Sequence, residues 1–166
     1  MKIEYCVEGD PLGTAGALAR VNDPEESFLV MNRDILTTID YRALMETNRT
    51  AGAGATIAVT RREVNIDYGV VIRDGQELME YREKPKIDYE VSMGINVVTA
   101  ESLAFIPDGV KFDMPDLMMA VKNSGKPVAC YPTDCYWQDI GRFDDYNRAS
   151  DDFVADPSRF LPEKKA

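Results

Sequence analysis

Short apolar runs separated by glycine and acidic residues predict the order of secondary structure along this chain. The run 28–31 is typical of a buried strand, and Asp34 follows just beyond its carboxyl end. Asp40 is placed to cap a helix that continues to about residue 50, and the apolar run 56–59 predicts a second strand. This strand, helix, strand order favours a parallel sheet covered by helices, with a right-handed crossover.

The middle of the chain predicts a hairpin followed by a longer strand. The runs 70–72 and 77–81 flank Asp74-Gly75, a dipeptide that favours the positive φ angles of a tight turn. The run 91–98 predicts another strand, which Gly94 interrupts. A glycine inside a strand marks either a bulge or a close approach to a ligand, and the sequence leaves both open.

The last part of the chain predicts two helices and one strand. Residues 113–125 are typical of a helix with proline in its first turn and glycine at its end. The run 128–131 predicts a strand, and apolar residues at helical spacing predict a final helix over 143–153. We therefore predict one domain, residues 1–154, followed by a polar tail, residues 155–166.

Composition excludes several kinds of chemistry. The 166 residues include no histidine, which excludes histidine-ligated zinc and nucleophiles activated by histidine. The cysteines at 6, 130 and 135 are odd in number and form no CxxC pair, which argues against a disulfide framework and a thiolate zinc site. Carboxylates, lysine, arginine and backbone amides remain as the groups available for chemistry.

Charge and hydropathy narrow the possible partners and location. The formal net charge of −10 argues against binding to nucleic acid, because phosphate contacts dominate that affinity. The first residues lack the basic and apolar regions of a signal peptide, and the longest apolar runs are only a few residues long. We expect a cytoplasmic protein that does not associate with membranes.

Two segments and one pair of aspartates are candidates for a functional site, and each has a plain structural alternative. The segment 9–18 opens an alanine-rich helix that Thr14 can cap, so it is either a helix cap or a loop that binds an anion or nucleobase. Asp34 and Asp139 each follow an apolar or aromatic stretch and precede an isoleucine, which is compatible with a position at the rim of the sheet. They either hold Mg²⁺ or act as caps and turn residues. The segment 82–85 either contacts phosphate and sugar or protects an edge strand.

In this order, the motifs resemble those of the sugar-1-phosphate nucleotidyltransferases, from Tyr5 to about Ala149. The family is also called the nucleotide-sugar pyrophosphorylases, and its guanylyl- and thymidylyltransferases acting on mannose-1-phosphate or glucose-1-phosphate are the most similar. The motifs that carry the resemblance are Pro11-Leu12-Gly13-Thr14-Ala15-Gly16-Ala17-Leu18, Asn32-Arg33-Asp34, Asp67-Tyr68-Gly69-Val70-Val71, Glu83-Lys84-Pro85, Met93-Gly94-Ile95-Asn96 and Tyr136-Trp137-Gln138-Asp139-Ile140-Gly141.

The resemblance implies a Rossmann-like α/β fold with a mixed, mainly parallel sheet flanked by helices. It also implies that a sugar 1-phosphate attacks the α-phosphorus of a nucleoside triphosphate with Mg²⁺ as cofactor, giving an NDP-sugar and pyrophosphate. The implied catalytic residues are Asp34, Asp139 and Lys84, and the two aspartates are the implied metal ligands. The implied substrate-binding residues contact nucleotide base, sugar or phosphate: Leu12, Gly13, Thr14, Gly69, Glu83, Lys84, Gly94 and Asn96.

Two departures from the family pattern affect these expectations. The family opens with a strand and a G-G-x-G-T-R-L loop that this sequence lacks, so we expect an N-terminally truncated domain that is weak or inactive alone. The remaining sheet is then expected to expose an edge that a second copy or a partner chain covers. Arg33 stands where the family has glycine, and we expect it to obstruct the nucleotide or pair with Asp34. The alternative function is a non-catalytic sugar-phosphate-binding or assembly module.

Overall fold

The computed structural model describes residue 3 and residues 5–161, and it has an α/β architecture. The strands are β1 (Ser27–Met31), β2 (Ile35–Thr37), β3 (Ala55–Asn65), β4 (Val70–Asp74), β5 (Glu77–Arg82), β6 (Lys86–Thr99), β7 (Val128–Pro132) and β8 (Trp137–Asp139). The helices are α1 (Gly13–Gly16), α2 (Tyr41–Ala51), α3 (Met114–Asn123), α4 (Phe143–Ala155) and α5 (Pro157–Phe160), with 3-10 helices at Ala17–Arg20 and Ala100–Phe105.

The central sheet has four strands in the order β1, β6, β3, β7. Strand β6 runs antiparallel to both of its neighbours, whereas β3 and β7 form a parallel pair. It follows that β1, β3 and β7 all point in the same direction. The expected mixed α/β sheet is confirmed. Three of its four strands run in the same direction, but only β3 and β7 are parallel neighbours, because β6 lies between β1 and β3.

Strand β6 contains the bulge that Gly94 predicts. Ile57 of β3 is opposite Asn96, and Val59 is opposite Ser92, so three residues of β6 face one residue of β3. Gly94 has a φ of +69°, which a residue with a side chain rarely adopts. The bulge therefore depends on glycine at this position.

Helices cover both faces of the central sheet and create two apolar clusters. On one face, Leu44 of α2 packs with Met93, Ile95 and Val97 of β6. On the other face, α3 packs against neighbouring residues of β6 and β3, including Val98. Because successive side chains of a strand point to opposite faces, β6 supplies residues to both clusters.

Two small sheets lie outside the central one. The strands β4 and β5 form the expected hairpin, and Gly75 in its turn has a φ of +55°. The strands β2 and β8 form a three-residue antiparallel pair in which Ile35 is opposite Asp139. This second pair was not expected from the sequence, and it joins segments that are about a hundred residues apart.

The first helix differs from the expectation. It spans only four residues before a 3-10 helix follows, and no side chain caps it. Thr14 instead contacts the start of α3: its hydroxyl accepts a hydrogen bond from Met114 N at 2.8 Å, and its own N–H donates to Asp113 Oδ1 at 2.9 Å. The prediction that Thr14 caps its own helix was therefore wrong, because a distant helix start offers it better partners.

The C-terminal helices pack against the segment before β8. Tyr136 donates a hydrogen bond to Asp152 of α4 at 2.7 Å, and burial together with this contact raises the pKa of Tyr136 to about 12. Phe160 of α5 packs edge-on against Tyr136, so the beginning of the predicted tail forms a short helix; residues 162–166 lie outside the described part. No helix in residues 5–161 has the length and apolar character needed to span a membrane.

We predict that Asp40→Ala lowers the free energy of unfolding by about 1 kcal/mol, because the cap of α2 is lost. The Asp40 carboxylate accepts hydrogen bonds from Arg42 N at 2.9 Å and Ala43 N at 3.0 Å. Urea denaturation measures the change, and Asp40→Ser is the control because serine also caps helices. Equal stability of the alanine and serine variants would contradict the assignment.

Candidate functional site

A cavity of about 560 Å³ lies between the start of α3 and the carboxyl end of β1. Its polar lining includes four residues that belong to the sequence motifs named above: Thr14, Asn32, Asn96 and Asp139. Its apolar lining includes five methionines: Met31, Met93, Met114, Met118 and Met119. A mostly apolar cavity with a few polar groups is typical of a small-molecule site.

A larger groove of about 900 Å³ lies elsewhere, between β1 and α2. None of the predicted site residues lines this groove. We take the smaller cavity as the candidate site because it collects the residues whose chemistry the sequence identified.

Asn96 provides the buried polar group of the cavity. It is only 4% exposed and sits on β6 between Val30 of β1 and Ile57 of β3. Within residues 5–161, no hydrogen bond involves its side-chain amide, although the residue lines the cavity. Among the described residues Glu8 Oε1, and not the Asn96 amide, is the fully buried side-chain atom without a partner, so the Asn96 amide is open to the cavity and can hydrogen-bond to a ligand there.

Asp34 and Asp139 converge beside the cavity. Pairing of β2 with β8 places them side by side, since Ile140 N donates to Asp34 O at 2.9 Å. A Cβ added to Gly141 would lie 3.1 Å from Asp139 Oδ1 and 3.3 Å from Asp34 Oδ2. Both carboxylates therefore border the same small space, which glycine at 141 leaves open.

Asn32 and Trp137 fix the bulge that forms one wall of the cavity. Trp137 Nε1 donates to Met93 O at 2.9 Å, and Asn32 N donates to Gly94 O at 2.9 Å. A Cβ at Gly94 would lie 2.7 Å from Asn32 Nδ2, so glycine is also required for packing. Asn32 and Trp137 both belong to the motifs named above, but this role could not be predicted from them, because the contact requires the β6 bulge.

Trp137 is itself held from the β3 side. The guanidinium carbon of Arg62 lies 5.0 Å from the centre of the indole ring, within the range of a cation–π contact. The ring is thus fixed between Arg62 and the carbonyl of Met93.

Leu12 and Gly13 lie against the segment that precedes α3. Leu12 is 5% exposed and its carbonyl accepts a hydrogen bond from Phe112 N at 2.8 Å. Gly13 has a φ of +79°, and a Cβ there would lie 2.7 Å from Phe112 O. Their observed contacts are structural, and of the predicted nucleotide-binding trio it is Thr14 that lines the cavity.

Gly69, Glu83 and Lys84 form a separate group. A Cβ at Gly69 would clash with the Tyr81 hydroxyl, which donates to Glu83 Oε2 at 3.3 Å. Lys84 adopts a left-handed φ of +44°, which is unusual for a residue with a side chain.

The β3–β6 ribbon separates this group from the cavity. The ribbon continues from Ser92, which lines the cavity, to Lys86, which is about 20 Å away along the strand at 3.3 Å per residue. Gly69, Glu83 and Lys84 follow beyond that end and are outside the cavity lining. The structure therefore divides the predicted substrate-binding residues into two groups.

Arg33 is exposed next to the aspartate pair. In the described part of the chain it makes no ion pair with Asp34, so the expected pairing is not observed. Its side chain is also outside the cavity lining.

The comparison with protein families identifies the class of this chain. The family described as "Nucleotidyl transferase" matches residues 1–155, and the chain belongs to this family.

Curated relatives are similar over most of this chain but are much longer. The chain is 35% identical over 151 residues to a putative mannose-1-phosphate guanyltransferase of Sulfolobus acidocaldarius, covering 88% of this chain and 42% of that protein. It is 31% identical over 153 residues to a UTP–glucose-1-phosphate uridylyltransferase of Synechocystis, covering 85% of this chain and 39% of that protein. The chain thus spans about two fifths of the length of these relatives.

Solved structures share the fold. A putative glucose-1-phosphate thymidylyltransferase from Bacillus anthracis, crystallised with a sucrose, aligns with a TM-score of 0.65 at 20% identity, covering 89% of this chain and 63% of that one. HddC from Yersinia pseudotuberculosis, complexed with GMP-PN, aligns with a TM-score of 0.58 at 22% identity, covering 88% and 64%. At this level of identity the likeness concerns the fold alone.

We predict that Trp137→Phe lowers the free energy of unfolding by about 1 kcal/mol, because Met93 O loses its hydrogen-bond donor. Urea denaturation followed by circular dichroism measures the free energy of unfolding. Tryptophan fluorescence is unsuitable, because the chain contains one tryptophan and the variant removes it. Tyr68→Phe is the control, because Tyr68 is 79% exposed and the variant removes only its hydroxyl. Unchanged stability of Trp137→Phe would contradict the anchoring role.

Proposed function

We propose that this chain serves the transfer of a nucleotidyl group from a nucleoside triphosphate to a sugar 1-phosphate. The observation that carries the proposal is the convergence of Asp34 and Asp139 beside a cavity that contains the buried amide of Asn96. A carboxylate pair suits a cation that neutralises phosphate, and a buried amide suits sugar hydroxyls or a base edge. Membership of the nucleotidyl transferase family supports the same reaction.

In the proposed step, an oxygen of the sugar 1-phosphate forms a bond to the α-phosphorus of the triphosphate. The bond from that phosphorus to the β-phosphate oxygen breaks, and pyrophosphate leaves with its electron pair. Positioning and electrostatic stabilisation supply most of the rate in such transfers. The task of this chain is therefore to orient two anions in line rather than to provide a nucleophile.

The donor set beside Gly141 fits Mg²⁺. Asp139 Oδ1 and Asp34 Oδ2 border one open space, and Mg²⁺ commonly takes one or two carboxylates together with phosphate oxygens. No cluster of three or more acidic or cysteine ligands occurs among the described residues, so substrate oxygens would complete the coordination. Mg²⁺, when bound, would offset the charge that develops on the phosphates.

Other residues of the chain contact the substrates and orient the carboxylates in this proposal. Asn96 hydrogen-bonds the sugar or the base inside the cavity, and Gly94 lets the backbone approach the ligand closely. Asp139 accepts a hydrogen bond from Gly141 N at 2.9 Å, which orients its carboxylate toward Asp34. Glu83 and Lys84 contact sugar and phosphate only if the hairpin bends toward the cavity.

The proposed substrates follow the printed names of the relatives, which differ in base and sugar. These names include a glucose-1-phosphate uridylyltransferase and a mannose-1-phosphate guanyltransferase. We propose glucose-1-phosphate or mannose-1-phosphate as the acceptor, and guanine, thymine or uracil as the base of the donor.

One observation favours a second function, a non-catalytic module that binds sugar phosphate. Among the described residues that line the cavity, Asp139 is the one charged side chain, and none is a lysine or arginine. Cationic groups contribute strongly to phosphoryl transfer, so a cavity without them suits binding better than catalysis.

Pyrophosphate release tests the two functions against each other. We expect release when the chain is mixed with Mg²⁺, one of four nucleoside triphosphates and glucose- or mannose-1-phosphate, and loss of release in Asp34→Ala/Asp139→Ala. Because release requires both substrates, the productive combination identifies base and sugar. If a folded sample binds sugar phosphate by calorimetry but releases no pyrophosphate with any combination of substrates, the chain is a binding module and the proposed transfer is wrong.

We predict that Gly141→Ala weakens binding of Mn²⁺, a paramagnetic substitute for Mg²⁺, at least tenfold, because the methyl group occupies the space between the carboxylates. Electron paramagnetic resonance of free Mn²⁺ measures it. The control is Gly9→Ala, since a Cβ at Gly9 has no neighbour within 4 Å. Equal Mn²⁺ affinity of both variants and the unmodified chain would remove the proposed metal site.

A further inference from the structure

The segment 12–16 is hydrogen-bonded to the residues just before α3. Phe112 N donates to Leu12 O at 2.8 Å. Phe112 O accepts hydrogen bonds from Ala15 N and Gly16 N, each at 3.0 Å. The turn between these contacts is therefore attached to the start of α3 at both of its ends.

The side chain of Asp113 adds a third attachment, at Thr14 in the middle of this turn. Asp113 Oδ1 accepts hydrogen bonds from Thr14 N at 2.9 Å and from Thr14 Oγ1 at 3.3 Å. The Thr14 hydroxyl in turn accepts from Met114 N at 2.8 Å. Because an ionised carboxylate only accepts hydrogen bonds, the hydroxyl hydrogen of Thr14 is directed to Asp113, and its oxygen keeps one lone pair for another donor.

Glycine at position 13 allows the carboxylate to come this close. A Cβ at Gly13 would lie 2.6 Å from Asp113 Oδ1 and 2.7 Å from Phe112 O. The φ of Gly13 is +79°, which residues with a side chain rarely adopt. Both the conformation and the packing at position 13 therefore permit the contact between Thr14 and Asp113.

The attached turn and the start of α3 together form one wall of the candidate cavity. Thr14 contributes a polar group to this wall. The residues that α3 contributes are three methionines and a proline: Met114, Pro115, Met118 and Met119. Asp113 does not line the cavity itself, so its effect on a ligand there would come through Thr14.

We propose that Asp113 is a positioning residue for the nucleotide, which it affects through Thr14. This inference rests on the proposed function, which places the nucleotide in this cavity. Thr14 is exposed, and without Asp113 its hydroxyl and the turn around it would be ordered only when a ligand binds. Ordering a side chain and its loop before binding reduces the entropy lost on association. Asp113 therefore raises affinity without touching the ligand.

A purely structural role of Asp113 at the start of α3 gives a different expectation, which a neighbouring carboxylate separates. Asp113 N donates to Asp116 Oδ2 at 3.2 Å, so loss of the Asp116 carboxylate also loosens the start of this helix. Of the two carboxylates, that of Asp113 is the one that accepts from Thr14. Asp116→Ala is therefore the matched control, because it perturbs the same helix start and leaves the contact with Thr14 intact.

Isothermal titration calorimetry with GTP, UTP and dTTP in the presence of Mg²⁺ provides the first test. We expect Asp113→Ala to weaken binding of the nucleotide that the unmodified chain prefers about tenfold, because Thr14 loses both hydrogen bonds to Oδ1. Asp113→Asn keeps an acceptor oxygen, so we expect its affinity to remain within about threefold of that of the unmodified chain. Equal affinities of Asp113→Ala and Asp116→Ala overturn the inference.

A double-mutant cycle shows whether Asp113 acts through Thr14. Thr14→Val removes the hydroxyl and keeps the size of the side chain. We expect the double variant Thr14→Val/Asp113→Ala to bind the nucleotide about as weakly as Asp113→Ala alone, since an unpositioned hydroxyl contributes little. Circular dichroism checks that each variant is folded. A double variant weakened by the product of the two single effects would show independent roles and overturn the inference.

The same titration of Asp34→Ala/Asp139→Ala separates this inference from the proposed function. If nucleotide affinity falls in that variant but is unchanged in Asp113→Ala, the proposed function stands and the positioning role of Asp113 is wrong. If the folded, unmodified chain binds none of the three nucleotides, the proposed function and this inference are both wrong.

Discussion

Strand β6 forms backbone hydrogen bonds with β1 on one side and with β3 on the other, and the rest of the protein is positioned by these two ladders. Its side chains enter both apolar clusters, so α2 and α3 are held at fixed distances from the same strand. A sheet with a central antiparallel strand also brings the carboxyl end of β1 next to the middle of β6. The candidate site forms at this meeting point.

The bulge at Gly94 converts this packing into a cavity. Three residues of β6 oppose one residue of β3, which bends the strand and separates its two regular parts. Trp137 and Asn32 hydrogen-bond to the carbonyls of the bulge, and each is adjacent to or near a carboxylate of the site. The same contacts therefore shape the cavity wall and fix the segments that bring Asp34 and Asp139 together.

Local sequence patterns predicted most helices and strands, whereas contacts between distant segments were not predicted. Asp40, the Asp74-Gly75 turn and Gly94 each act within a few residues, and each has the predicted effect. The role of Thr14 depends on Met114, which is a hundred residues away, and local spacing predicted the wrong helix cap. The β2–β8 pair was also missed, since three-residue strands carry little periodicity. Local sequence made its two aspartates candidates, and the family resemblance implied that they are metal ligands.

Electrostatics limits how the proposed reaction can use these aspartates. Two unit charges 4 Å apart interact by about 1 kcal/mol in water and about 4 kcal/mol near a protein surface, so a triphosphate next to Asp34 and Asp139 is strongly repelled. Lys84 lies beyond the far end of the β3–β6 ribbon. In this position of the hairpin its positive charge does not offset the repulsion between the carboxylates and the triphosphate. A nucleotide site at Asp34 and Asp139 therefore requires a divalent cation between carboxylate and phosphate, whereas the buried amide of Asn96 can receive an uncharged sugar or base without one.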